Sequence, residues 1–265
     1  MTELPSVFVS HGAPTMLLHA GPTQAFFAQL GATLPRPRAV LCVSAHWETG
    51  APRITGNAAP ATIHDFYGFP EALYQIRYPA AGDPELATKV AALLREAGLP
   101  AEIDSERGLD HGAWVPLRFM YPQADVPVIQ LSLQSRLAPQ HHLDVGQALR
   151  SLRTQGVLIL GSGGATHDLS GFRRHTLDAP ATDYALAFDR WLQDAVSAHK
   201  TEALLNYVRD APQASRNHPT PEHFLPLFVP LGAAGEGARG RQLHSGFTYG
   251  ALSMAAYAWE DGSTR

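Results

Sequence analysis

Val7-Phe8-Val9-Ser10-His11-Gly12-Ala13-Pro14 is a β-rich apolar run that stops abruptly at a histidine, a glycine and a proline. Consecutive apolar residues of strand length suit a buried strand, and Gly with Pro ends it. The pattern recurs along the chain. Ala39 to Ala45 runs into Ser44-Ala45-His46-Trp47-Glu48, and Val157 to Leu160 breaks into Gly161-Ser162-Gly163-Gly164-Ala165-Thr166-His167. Val126 to Leu133 is a fourth run of this kind. Between them, Asp83 to Ala97, Pro139 to Thr154 and Thr182 to His199 carry apolar residues at helical spacing. In the first of these, Asp83 reads as an N-cap, Pro84 as the first helical residue, and Gly98 as the left-handed stop. Alternating strand and helix predict an α/β fold: a central mixed, partly parallel sheet with helices on both faces. The small, apolar run Phe247 to Trp259 reads as a closing strand. No repeat, low-complexity tract or linker divides the chain, so residues 1–265 read as one domain.

Of 265 residues, 45% are apolar and 17% charged, which supports a large core rather than disorder. A formal charge of -4 argues against a sequence-independent grip on nucleic acid. The single cysteine, Cys42, excludes an internal disulfide and a multi-thiolate zinc site, and its place mid-strand predicts a buried, inert thiol. No signal-type N-terminus and no apolar stretch of about 18 residues is present, so the chain is expected to be cytoplasmic, with no membrane partner. Walker A, complete G-x-G-x-x-G and G-x-S-x-G patterns are missing, which leaves nucleotide binding and a serine-hydrolase elbow unsupported.

The thirteen histidines are the conspicuous feature. Imidazole binds divalent metals and moves protons near neutral pH. In open α/β sheets, ligands collect at the carboxyl ends of strands, where His11 and His46 sit and where His167 closes a glycine-rich turn. Three coincident strand-end histidines outweigh the usual reading of a lone histidine as a hydrogen-bonded structural residue. Those glycines are expected to let a ligand approach closely. Downstream, Thr220-Pro221 reads as an N-cap and first helical residue, placing Glu222 and His223 in a first turn. Neighbouring helical residues point about 100° apart, so this segment supplies one ligand, either Glu222 or His223. His111, between Asp110 and Gly112 at a loop-to-helix junction, fits function and structure equally. His64 reads as structural, and His141, His142, His175 and His199 fall on polar faces or loops. No substrate-binding residue is fixed; Arg77, Tyr78 and Trp114 lie near the motifs as pocket candidates.

Taken together, Ser10 to Pro14, Val43 to Glu48, Gly68 to Tyr74, Gly108 to Leu117 and Gly161 to His167 resemble the class III extradiol ring-cleaving dioxygenases, most closely their DOPA 4,5-dioxygenase branch. The resemblance spans nearly the whole chain. It implies a mononuclear metal site in which His11, His46 and His223 are the ligands, with His223 where the commoner pattern has glutamate. His167 then matches the acid–base histidine, also able to approach the metal as a fourth ligand, and His111 a neighbour of substrate and oxygen.

The implied reaction opens the ring of a small, DOPA-like catechol and inserts both atoms of dioxygen. Three ligands on one face of an octahedral ion leave positions for catechol and dioxygen, the arrangement of non-haem iron(II), so Fe(II) is the expected catalytic metal. Three neutral imidazoles keep the ion's full positive charge, which favours catechol deprotonation. The same ligands suit Zn(II), which lacks redox chemistry. A zinc hydrolase using metal-bound hydroxide and a non-enzymatic binding protein on this scaffold are the competing readings. Oxygen uptake with a catechol separates the first from an oxygenase, and retention of every proposed ligand argues against the second.

Overall fold

The structure, a computed structural model, describes residues 3–260 apart from Gly171 and Arg173. Alternation within the four apolar runs divides the interior into two cores. Phe8, Leu41, Val43, Ile129, Leu131 and Ile159 face one side of the sheet, while Val7, Val9, Val40, Cys42, Val128 and Leu160 face the other. Helices Pro84–Glu96, Pro139–Leu149, Asp183–Ser197 and Phe228–Ala234 cover the first side through residues such as Val90, Leu149, Phe188 and Phe228. Helices Pro22–Thr33 and His111–Met120 cover the second through Phe27 and Trp114. The expected helix-on-both-faces architecture follows from this period-two burial.

The strands are β1 (Ser6–Ser10), β2 (Ala39–Glu48), β3 (Arg53–Thr55), β4 (Glu102–Asp104), β5 (Val128–Leu133), β6 (Val157–Gly163), β7 (Arg239–His244), β8 (Phe247–Thr248), β9 (Leu252–Ser253) and β10 (Ala256–Glu260). Eight of them form one sheet in the order β4-β3-β5-β2-β6-β1-β10-β7, and β8 pairs with β9 separately. The central strands β5, β2, β6 and β1 are parallel to one another. β3 joins β5 antiparallel, and β10 and β7 close the opposite edge antiparallel, so the sheet is mixed. The closing strand expected over Phe247 to Trp259 is interrupted: β8 and β9 are joined by a turn in which Tyr249 and Gly250 take positive φ, and only from Ala256 does β10 join the main sheet. Asp83 caps its helix by accepting from the Leu86 N–H at 2.9 Å, and Gly98 takes φ +78°.

Two local expectations fail, and one holds only in part. The helix foreseen from Thr220 is a turn, with helical structure beginning only at Leu225. The Thr220 hydroxyl that would cap it donates instead to Glu222 Oε1 at 2.8 Å. Gly161 and Gly163 take no positive φ. A Cβ there would stand 2.2 Å from Pro226 O and 2.1 Å from His223 O, so these glycines admit the backbone of residues 223–226, while Gly163 and Gly164 also line the cavity that holds the histidines. His142, placed on a polar face by its pattern, is 1% exposed within helix Pro139–Leu149. Among the described residues, no helix is long and apolar enough to cross a membrane.

Candidate metal centre and active-site cavity

The parallel centre of the sheet brings the histidine-bearing strand ends side by side, since β6 lies between β2 and β1. His11 follows β1 and is followed by Gly12 at φ +63°, a left-handed turn that suits glycine. His46 lies within β2, in the stretch between Val43 and Glu48 where the register with β5 shifts. Such an irregularity re-aims a side chain out of the regular pleat. His223 arrives from the turn laid against β6, where Gly164 N–H donates to His223 O at 2.8 Å.

His11, His46 and His223 each offer a ring nitrogen, all within 4.8 Å of one another. His11 Nε2 and His46 Nε2 are 3.0 Å apart. Two nitrogens each ~2.1 Å from a shared ion, at right angles, stand ~3.0 Å apart, so the separation fits a pair of neighbouring ligands.

Two of the far nitrogens are held by hydrogen bonds, and the third faces a carboxylate at longer range. Ser162 Oγ donates to Gly112 O at 2.5 Å and therefore accepts from His11 Nδ1–H at 3.1 Å, leaving the His11 Nε2 lone pair free. His46 Nδ1 faces Asp65 Oδ2 at 3.5 Å, and His223 Nδ1 donates to Glu222 Oε1 at 3.1 Å. Partners of this kind fix the tautomer and orientation of metal-binding imidazoles. The donor set therefore fits a divalent metal: three neutral rings with lone pairs turned to one centre.

Electrostatics agree. Burial, reinforced by the neighbouring histidines, pushes His11 and His223 well below the usual imidazole range, and burial takes His46 to about 3. At neutral pH all three are unprotonated, the form that binds metal.

His167 stacks on His223 with ring centroids 3.3 Å apart, and its backbone N–H donates to Asn217 O at 2.8 Å. It lies outside the set formed by His11, His46 and His223, and shares donor reach with Glu222 and His223. Burial brings His167 to about 4, so its ring is neutral and able to accept a proton at pH 7.

His111 opens the helix that Asp110 caps, with its ring centroid 3.9 Å from that of His46. Asp65 grips it twice, accepting from the backbone N–H at 2.8 Å and from Nδ1–H at 2.9 Å. Burial alone would raise the Asp65 carboxyl, but hydrogen bonds and charge from His111 outweigh it and hold the group at about 2. Because Nδ1–H is committed to Asp65, His111 can donate into the cavity only as an imidazolium, a charge that the Asp65 carboxylate supports.

The cluster forms the inner end of a cavity of about 250 Å³. Arg77, Tyr78 and Trp114, the pocket candidates, do not line it. Tyr78 and Trp114 are core residues whose polar atoms bond Tyr121 O and Ile63 O, and Arg77 bonds Tyr74 O and Ile76 O. His64 has a structural partner, Ile76 O at 2.9 Å. Sequence reading missed Asp65 and Ser162; the one available hint was a histidine nearby in sequence, His64 next to Asp65 and His167 five residues after Ser162.

A family model described as the catalytic LigB subunit of aromatic ring-opening dioxygenase matches residues 5–259. The chain is 43% identical over 258 residues to a protein of Beta vulgaris named 4,5-DOPA dioxygenase extradiol, covering 94% of each chain. It is 40% identical over 239 residues to an Escherichia coli K12 protein of the same name, covering 88% of this chain and 86% of the relative. A crystal structure of an uncharacterised Escherichia coli K12 protein superposes with a TM-score of 0.79 at 33% identity, over 96% of this chain and 99% of the other. With a histidine-lined cavity at the strand ends and a family match over almost the whole chain, the protein belongs to the LigB family of aromatic ring-opening dioxygenases.

Proposed function

We propose that the chain is an iron(II)-dependent extradiol dioxygenase that opens the ring of a small catechol, with His11, His46 and His223 as the protein ligands. The observation that carries this reading is the convergence of those three ring nitrogens, with His11 and His223 each held by its own partner, at one end of a cavity. The relatives named for 4,5-DOPA dioxygenase support the reaction class.

Bound there, iron(II) would supply a site at which a catecholate and dioxygen are held together and electrons can pass between them. His167, neutral and beside His223, is placed to take a catechol hydroxyl proton and to return one to the departing oxygen. His111, as an imidazolium paired with Asp65, donates to negative charge as it develops. Glu222 holds His223 in orientation, which favours the imidazole over the carboxylate as third ligand.

Anaerobic reconstitution with iron(II), followed by oxygen-electrode measurements with substituted catechols, tests the reading. Stoichiometric dioxygen uptake with a yellow ring-opened product is expected. No uptake across the panel by fully iron-loaded protein would overturn it and return the zinc-hydrolase alternative.

A further inference from the structure

The cavity that holds the histidines has a neighbour. A second cavity of about 280 Å³ adjoins it, and Gly12, Ala13 and Met254 line both. Of these three, only Met254 carries a side chain longer than a methyl, so its thioether is the adjustable part of the common wall. The end of that side chain lies against the residue that follows His11: a Cβ at Gly12 would stand 2.7 Å from Met254 Cε and 3.2 Å from Sδ. Glycine at position 12 therefore serves a left-handed φ of +63° and the close approach of this methionine together.

Met254 sits in the gap between β9 and β10, where its backbone is held on both sides. Its own N–H donates to Gly246 O at 2.8 Å. On one flank Ser253 Oγ donates to Asp189 Oδ1 at 2.5 Å. On the other, Ala255 O accepts from Ser10 N at 3.2 Å and from Ser10 Oγ at 2.8 Å. The side chain itself is unbranched and has three rotatable bonds, the type that re-packs most readily. It is 3% exposed, so a change in its length alters the space inside the protein rather than the surface.

The two cavities differ in character. The inner one ends in the histidine cluster, whereas Thr15, Asp178 and Tyr249 are among the residues lining the second. At about 250 Å³ the inner cavity falls below the ~300–1,000 Å³ of sites for drug-sized ligands. A catechol whose diol meets the histidines and whose substituent extends to Met254 has polar side chains ahead of it, but reaches them only if the thioether gives way.

We propose that Met254 is a specificity-determining residue. It closes the inner cavity against its neighbour and so limits the length of substituent that a catechol substrate can carry; with that side chain shortened, the second cavity takes the polar tail of a longer one. This rests on the ring-cleaving reading above.

The test compares L-DOPA with L-DOPA-glycylglycine, which share the diol and one ammonium and one carboxylate but differ in reach. On zinc-loaded wild type, which cannot turn over, calorimetry should show the longer ligand binding at least about tenfold more weakly, the scale of a forced overpacking. Met254→Ala should close that gap by at least about tenfold, and kcat/KM on the iron(II)-loaded proteins should follow the same order. Met254→Leu, a volume-conserving exchange that cores tolerate, should shift the ratio in the same direction by less, and carries the test if the alanine variant does not fold. Equal affinity for both ligands in wild type, a gap unchanged in every folded variant, or no binding of the longer ligand by any of them overturns the inference and leaves the ring-cleaving reading intact. Absence of oxygen uptake with either ligand on every protein, while the calorimetric gap closes as expected, counts against the ring-cleaving reading and supports the role of Met254.

Discussion

Replacing Asp65 by asparagine separates holding the metal from using it. The carboxylate accepts two hydrogen bonds from His111, at 2.8 Å from its backbone and 2.9 Å from Nδ1, both in a largely buried setting. An amide of equal size keeps one acceptor and turns an NH2 toward the other donor, so one charge-assisted bond is lost and two donors confront each other. Hydrogen bonds to a charged group contribute about 1.5–3 kcal/mol. A loss of about 2 kcal/mol from the charged form of His111 corresponds to about 30-fold in rate if that form acts in the transition state. Asp65→Asn should therefore lower kcat about 30-fold with little change in KM. Iron content should fall much less, because His46 Nδ1 is 3.5 Å from Asp65, beyond a good hydrogen bond, and His11 and His223 have other partners. Oxygen uptake at varied catechol, with iron measured on the same samples, reads kcat, KM and metal content together. A kcat within twofold of wild type would refute the reasoning.

Further expectations concern other parts of the site. His167→Ala should retain metal and lose turnover, whereas His46→Ala should lose both; normal turnover by the first variant would remove His167 from the mechanism. Gly163→Ala would set a methyl 2.1 Å from His223 O, displacing the turn that carries His223, and should cost about 1–3 kcal/mol in urea unfolding together with weaker metal retention; unchanged midpoints would contradict the packing argument. Burial lowers His142 and His167 to about 4 from an unfolded value near 6.5, so unfolding takes up protons as pH falls between those values. Each group's penalty is absent above about pH 6.5 and grows as pH falls toward 4, reaching about 2 kcal/mol at pH 5. Metal-free protein should therefore show urea midpoints that drop steadily from pH 7 to 5, and a flat profile would sink this account.

The sheet and the main histidines were legible because strong local signals agreed. Unbroken apolar runs ending in Ser10-His11-Gly12, Ser44-Ala45-His46 and the turn before His167 mark strands and their carboxyl ends together. What could not be read depended on partners distant in sequence. Asp65 matters because the fold sets it under His111, 46 residues away, and Ser162 because it meets His11. Gly161 and Gly163 looked like ligand-admitting glycines, but the closest neighbour is the backbone of residues 223–226. Thr220-Pro221 carries a sound capping pattern, yet its hydroxyl finds Glu222 instead of a helix end. His142 looked surface-facing because helix Pro139–Leu149 carries polar neighbours, while its ring packs inward beside Gln134.

X-ray absorption at the iron edge of the iron(II)-loaded protein tests the central claim most directly. One iron per chain with three imidazole ligands is expected, falling to two in His223→Ala and staying at three in Glu222→Gln. Fewer than two imidazoles in the wild type, or a ligand lost with Glu222→Gln and none with His223→Ala, would show that His11, His46 and His223 do not form the centre.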